Sequence, residues 1–267
     1  MLATKRQTLT RLWQGCRACG GSATRIAVLL IAISLPCASA GAGPLRDPRL
    51  GHVHTWAFAI GDGDLRGRLE SRYRAYDLLV LDGQGASRAQ VRALRRAGKI
   101  VLAYLDVGTI EPGRPWYRAL KRFRLDYLPD WGEWYADVGR GGYRRAIARR
   151  IAPRILSKGF DGLFLDNTDM IESHPRKSRG MRALVFSLSR LVHRRGKLLF
   201  SQNGERTIRS TLPFYDGWNR EDVSATYDFA AHRYVRQPPA EVAEAARAAP
   251  DPRSGSAYAC HRLHGPG

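Results

Sequence analysis

From residue 54 onward, short apolar runs alternate with longer stretches whose apolar residues recur every three to four positions. The runs predict strands at 56–60, 77–81, 99–107, 162–165 and 197–201, with a short sixth at 216–219. The periodic stretches predict amphipathic helices at 87–97, 143–158, 179–195 and 238–249. Ser87 is placed to cap the first of these, and Gly98, Gly159 and Gly196 stand where three of them stop. Continuously apolar strands, each followed by a helix, imply an α/β fold with a parallel sheet buried on both faces. No Gly-x-Gly-x-x-Gly turn joins a strand to a helix, so a dinucleotide-binding sheet has little support. The choices are a doubly wound sheet or a (β/α)8 TIM-type barrel. After residue 222 the chain offers YDFAAHRYVRQ and one helix.

The segment before the first strand reads differently. Residues 1–40 carry five basic side chains and no acid, an apolar run at 26–35, and Ala38-Ser39-Ala40. That is the pattern of a secretory signal peptide, and the run is short for a membrane span. Cleavage after Ala40 would remove Cys16, Cys19 and Cys37 and leave Cys260 alone, so no intrachain disulfide is expected. The expected organisation is therefore a signal peptide at 1–40, a linker at 41–52, a barrel domain at 53–250 and an irregular tail at 251–267. The protein is expected to be secreted or periplasmic, with no stable membrane insertion after cleavage, and monomeric.

Charge changes the picture less than its size suggests. The 267 residues carry a net charge of +20, and Arg supplies 38 of the 44 basic side chains. A nucleic-acid or envelope-surface partner is one reading. The basic residues are scattered, however, and no aromatic RNA-binding motif accompanies them, so solvated helix faces are the simpler reading and no nucleic acid is expected. With 44% hydrophobic residues and 25 aromatic side chains, a disordered chain or a coiled coil is excluded.

The acids follow the strands. Asp82 follows the second; Asp106 and Glu111 the third; Asp166 and Asp169 the fourth; Glu205 the fifth; Glu221 the sixth. In a parallel barrel these ends open on one face, where the active site lies. Tyr104, Asn167, Gln202, Asn203 and Trp218 fall nearby. Any one of these acids could simply cap the next helix, and Asp161 reads as a turn residue before its strand. Capping does not require an acid after nearly every strand. A carboxylate-lined mouth suits glycoside hydrolysis or metal-assisted hydrolysis. No histidine joins the acids at a strand end, so neither a metal nor a cofactor is expected; His52 and His54 read as linker residues. No Gly-x-Ser-x-Gly nucleophile turn occurs. Trp116, Trp131, Trp134 and Trp218 could stack on sugars or simply pack.

Three runs resemble barrel segments of glycoside hydrolase family 114, the endo-α-1,4-polygalactosaminidases and their bacterial relatives: AYLDVGTIEPGRPWY (103–117), GFDGLFLDNTDMIE (159–172) and LLFSQNGE (198–205). WAFAIGD, YDLLVLDG and EWYADVGRGGYRRAI also fit, so the resemblance covers about residues 54–222. It implies an α/β fold, a (β/α)8 TIM-type barrel expected here to be incomplete at its C-terminal end, that cleaves α-1,4-linked galactosamine-containing polysaccharide outside the cell, with a polysaccharide as partner. It also implies Asp166 as nucleophile and Glu205 as acid/base in a retaining, two-carboxylate mechanism. Asp82, Tyr104, Asp106, Glu111, Asp169, Asn203 and Glu221 are implied to line the cleft. A non-catalytic or degenerate carbohydrate-binding relative of the same barrel is the alternative expectation, motivated by the missing C-terminal strands.

Overall fold

Six apolar runs become the strands of one parallel sheet. They are β1 (Trp56–Ala59), β2 (Leu78–Asp82), β3 (Ile100–Asp106), β7 (Gly162–Asp166), β8 (Leu198–Gln202) and β9 (Gly217–Asn219), paired in that order. The computed structural model describes residues 47–61, 63–204, 207–228, 231 and 233–248. The expected signal peptide and tail lie outside these residues. The sheet curls as the first six strands of a TIM-type barrel, the incomplete barrel that the family resemblance implies.

Both faces of the sheet are buried, and strand parity sorts the side chains. Leu79, Leu81, Val101, Ala103, Leu105, Leu163, Leu165 and Leu199 pack toward the helices. Leu78, Val80, Ile100, Leu102, Tyr104, Phe164, Leu198 and Phe200 form a second cluster on the inner face. Leu50 and Val53 pack against this inner cluster. Leu50 belongs to a 3-10 helix, Pro48–His52, within the segment expected as a linker.

The helices follow the predicted pattern with small shifts. After a one-turn α1 (Leu69–Arg72), α2 (Arg88–Arg96) begins at Ser87, which forms a capping box with Gln90. A one-turn α3 (Tyr117–Leu120) precedes the long α4, residues 141–156. Its middle, Ile147–Ile151, is π-helical. Pro153, one residue beyond it, has no N–H for the regular ladder, so the wider turn falls where that ladder is interrupted. A short α5 (Met170–Ser173) leads to α6 (Ser178–His193), and α7 (Pro239–Ala248) closes the described chain.

Two elements depart from the simple alternation. Between β3 and α4 the chain builds a three-stranded antiparallel sheet of β4 (Thr109–Ile110), β5 (Arg124–Leu128) and β6 (Glu133–Ala136), with β6 in the middle. After β9, the YDFAAHRYVRQ region, for which no element was assigned, holds an antiparallel pair of β10 (Ala225–Asp228) and β11 (Arg233–Arg236).

Three acids at the N-terminal side of the sheet are structural. Asp77 accepts from the amides of His54 and Thr55, Asp161 from Val101 and Asp216 from Leu199, each tying its strand to the neighbouring one. Asp161 also pairs with Arg49 at 3.2 Å and Arg95 at 3.0 Å. Asp216 also pairs with His193 Nε2 at 2.8 Å.

Candidate active site

Parity carries the inner face into a polar rim at the C-terminal strand ends. Two residues beyond Val80, Leu102, Phe164 and Phe200 stand Asp82, Tyr104, Asp166 and Gln202; Asp106 lies two beyond Tyr104. Asp106 and Asp166 are register partners across β3 and β7.

Asp166 is buried and held by three donors. The Tyr104 hydroxyl and the Gln202 amide donate to its two oxygens, Gln202 at 3.2 Å, and the Asn167 amide donates at 2.7 Å. Burial, then the neighbouring Asp166, Asp106 and Glu111 carboxylates, push the Tyr104 hydroxyl well above its usual range, so it remains a donor. Gln202 is oriented in turn by Asn219, whose Nδ2 donates to its Oε1 at 3.2 Å. The chain turns sharply after both strands: Asn167 has φ 55° and Asn203 φ 54°, a conformation Asn tolerates better than most residues.

Those turns aim both amides into the site. Asn167 Nδ2 donates to Asp106 at 2.7 Å, and Asn203 Nδ2 donates to Glu221 at 3.1 Å. Glu221 keeps an open face to solvent but is crowded by protein on its inner side. That crowding, followed by the charge of Asp166, pushes its carboxyl up to about 7 despite the Asn203 bond. Asp169 and Asp222 add to the shift. The β3–β7 turns meet closely: a Cβ on Gly108 would lie 1.7 Å from the Asn167 carbonyl oxygen, so that position requires glycine.

The remaining acids are engaged with each other or with one cation. Asp106 accepts from the amides of Gly108 and Thr109 and from the Thr109 hydroxyl; that hydroxyl also lies 2.5 Å from Glu133. Asp82 accepts from the amides of Gln84 and Gly85 and pairs with Arg114 at 2.6 Å. Arg114 also meets Glu111 at 2.6 Å. Asp82 and Glu111 thus share one cation, Arg114, within the wall. Oxygens of Asp106, Glu111 and Glu133 lie within 4.8 Å of one another, a spacing that would admit a cation beside the charge Arg114 already supplies.

The structure therefore brings together Tyr104, Asp106, Asp166, Asn203 and Glu221, and sets Asp82 and Glu111 around Arg114. Asp169 stands at the start of α5, near Gly204. Glu205 lies outside the described residues. Trp218 is buried and donates to the Asn203 carbonyl at 2.7 Å, so it packs. Sequence reasoning missed Glu133, Thr109 and Arg114. The first two sit on the unrecognised antiparallel sheet, and the third lies in a quoted run where only acids were sought. A group of basic residues sits apart from this mouth: Arg144, Arg145, Arg149, Arg190 and Arg194 line a groove of about 660 Å³ between α4 and α6.

A model of glycoside-hydrolase family GH114 matches residues 37–245. An uncharacterised protein of Deinococcus radiodurans is 27% identical over 210 residues, covering 71% of this chain and 66% of that protein. The uncharacterised protein MJ1477 of Methanocaldococcus jannaschii is 23% identical over 195 residues, covering 63% and 56%. The chain thus spans just under two thirds, or little over half, of these curated relatives. Among solved structures, the glycoside hydrolase domain of PelA from Pseudomonas aeruginosa superposes with a TM-score of 0.62 at 23% identity, over 73% of this chain and 78% of that one. Aspergillus fumigatus Ega3, solved in complex with galactosamine, gives 0.53 at 20% identity, over 64% and 68%. These likenesses carry the fold. No helix of the described residues is long and apolar enough to cross a membrane.

Proposed function

Because the chain belongs to glycoside-hydrolase family GH114, we propose that it hydrolyses an α-1,4-linked, galactosamine-containing polysaccharide with Asp166 as nucleophile. One observation carries the reading most: Asp166 is gripped by Tyr104, Gln202 and the Asn167 amide while a second carboxyl, Glu221, is raised to about 7 beside it. Glycosidic cleavage needs one carboxyl that gives a proton and a second that attacks. The donors around Asp166 fix its direction of attack. Glu221, protonated near neutrality, gives its proton to the leaving oxygen. Asp166 forms the bond to the anomeric carbon as the glycosidic bond breaks. The resulting Glu221 carboxylate then takes a proton from water, and that water displaces Asp166.

This reading moves the proton donor from Glu205, which the sequence resemblance favoured, to Glu221. The mouth acids Asp106 and Glu133 suit a substrate bearing ammonium groups, and the galactosamine in the Ega3 complex supports that choice of sugar. The pattern over residues 1–40 supports export, which places the enzyme where such polymers lie.

The test is reducing-end release from partially deacetylated α-1,4-galactosamine polymer by the wild-type chain, Asp166→Asn, Glu221→Gln and Glu205→Gln. Loss of activity in the first two, with Glu205→Gln keeping at least a tenth, is expected. Turnover retained by Asp166→Asn overturns the nucleophile. Loss in Glu205→Gln but not in Glu221→Gln returns the proton to Glu205.

A further inference from the structure

We propose that the outer face formed by α2, α4 and α6 binds an acidic polysaccharide, a flexible chain of carboxylate-bearing sugars, along the groove between α4 and α6. This site is separate from the carboxylate-lined mouth and does not depend on what that mouth cleaves.

The three helices follow β2, β3 and β7, which are neighbours in the sheet, so they stand side by side on its outer side. Together they hold twelve arginines and no lysine, aspartate or glutamate. The chain spreads these arginines from Arg88 to Arg190, and the fold collects them. Among the described residues, only Arg95 of the twelve pairs with a carboxylate. Arg88, Arg92, Arg96 and Lys158 line a groove of about 540 Å³ between α2 and the end of α4. The groove between α4 and α6 takes arginine from both walls. Arg145 and Arg149 stand one turn apart on α4, and Arg190 and Arg194 one turn apart along α6 and its end. Among the described residues, no carboxylate lines either groove. Like charges gathered in this way repel one another and destabilise the fold. A polyanion in the groove supplies the missing counter-charge.

Three features choose the polyanion. The charge is carried by guanidinium groups, whose planar fork donates two parallel hydrogen bonds to a carboxylate. Phe186 lies in the α4–α6 groove, 43% exposed, with the Arg190 guanidinium 5.7 Å over its ring. It offers a sugar ring an apolar face. Among the described residues it is also the only aromatic side chain lining either groove, whereas single-stranded nucleic acid is held by stacking successive bases on successive rings. Finally, helices set around a curled sheet form a convex face. A planar bilayer or a stiff DNA duplex touches only its crest, while a flexible chain lies down in the groove.

The probe is polygalacturonate, and its methyl ester is the control that keeps the chain and removes the charge. The full chain is expected to bind polygalacturonate at low salt, to lose it as salt rises, and to ignore the ester. Arg145→Gln, Arg149→Gln and Arg190→Gln together should weaken binding about tenfold. Arg66→Gln, Arg68→Gln and Arg74→Gln remove the same charge around α1 and should weaken it less than about threefold. All six side chains are exposed, so both triple variants should melt like wild type. Equal loss in the two triples overturns the groove, because net charge alone then governs binding. Equal binding of the ester overturns recognition of carboxylates. Tighter binding of single-stranded DNA, or of phosphatidylglycerol vesicles, gives the face to nucleic acid or to membrane and overturns the polysaccharide. A folded chain that binds no polygalacturonate at low salt overturns the proposal outright.

Discussion

Asn203 and Glu221 hold each other at both ends: Asn203 Nδ2 donates to the Glu221 carboxylate at 3.1 Å, and the Glu221 amide donates back to Asn203 Oδ1 at 2.8 Å. This clasp fixes a carboxyl whose proton is retained to about pH 7 by crowding and by Asp166. If Glu221 is the proton donor, kcat/KM falls on the alkaline side of about pH 7. Glu221→Gln removes that limb along with most of the activity. Stability follows the same group. A carboxyl raised in the folded state stabilises it fully below its unfolded value near 4.5, and that contribution is lost as pH rises through about 7. The melting temperature of Glu221→Gln relative to wild type should therefore rise between pH 5 and 8 in a buffered thermal scan, an interval chosen to bracket that change.

The clasp also separates two roles of Asn203. Its side chain stabilises the Glu221 carboxylate, and its backbone occupies the left-handed region at φ 54°. Asn203→Ala loses the bond and strains the turn by about 1 kcal/mol; Asn203→Gly loses the bond and relaxes the turn. Both variants should move the alkaline limb to higher pH. Only the alanine variant should melt clearly below wild type. A limb that does not move in either would disconnect Asn203 from the titrating group.

Gln202 is the residue through which β9 reaches Asp166. Asn219 donates to its carbonyl, so its NH2 faces the Asp166 carboxylate. Gln202→Leu keeps the volume but removes that donor. The expected result is a kcat lower by about tenfold to a hundredfold with KM little changed, because the attacking oxygen is less well aimed. A raised KM with kcat unchanged would place Gln202 in substrate binding instead.

Much of this was legible before the fold. Continuous apolar runs such as Leu78–Asp82 and Gly162–Asp166 announced buried parallel strands, and the acids after them fell on one rim because strand ends share a direction. The antiparallel sheet was not legible. Thr109–Ile110 is only two residues, and Arg124–Leu128 mixes exposed and half-buried positions, so neither gives a clean period. Position along a strand also does not distinguish a free acid from a paired one. Asp82 and Asp166 read alike, but Arg114, 32 residues beyond Asp82, neutralises one of them. The hairpin at residues 225–236 was missed because its strands lie beside no apolar run.

A repeated dipeptide at the opposite end of the sheet has a structural meaning. Tyr76-Asp77, Phe160-Asp161 and Tyr215-Asp216 each precede a sheet strand, and each Asp caps an amide of the neighbouring one. Asp161 joins three residues, Val101, Arg49 and Arg95. Asp161→Ala leaves the Val101 amide without its acceptor in a buried place. The two arginines remain half exposed and can be solvated, so the full cost of a broken buried ion pair does not apply. A loss of about 2 kcal/mol is expected, read as a lower denaturation midpoint with an unchanged slope. The pH profile of the residual activity should match wild type, since Asp161 lies at the far end of β7 from Asp166. A shifted profile with an unchanged midpoint would contradict the division of the acids into a structural end and a chemical end.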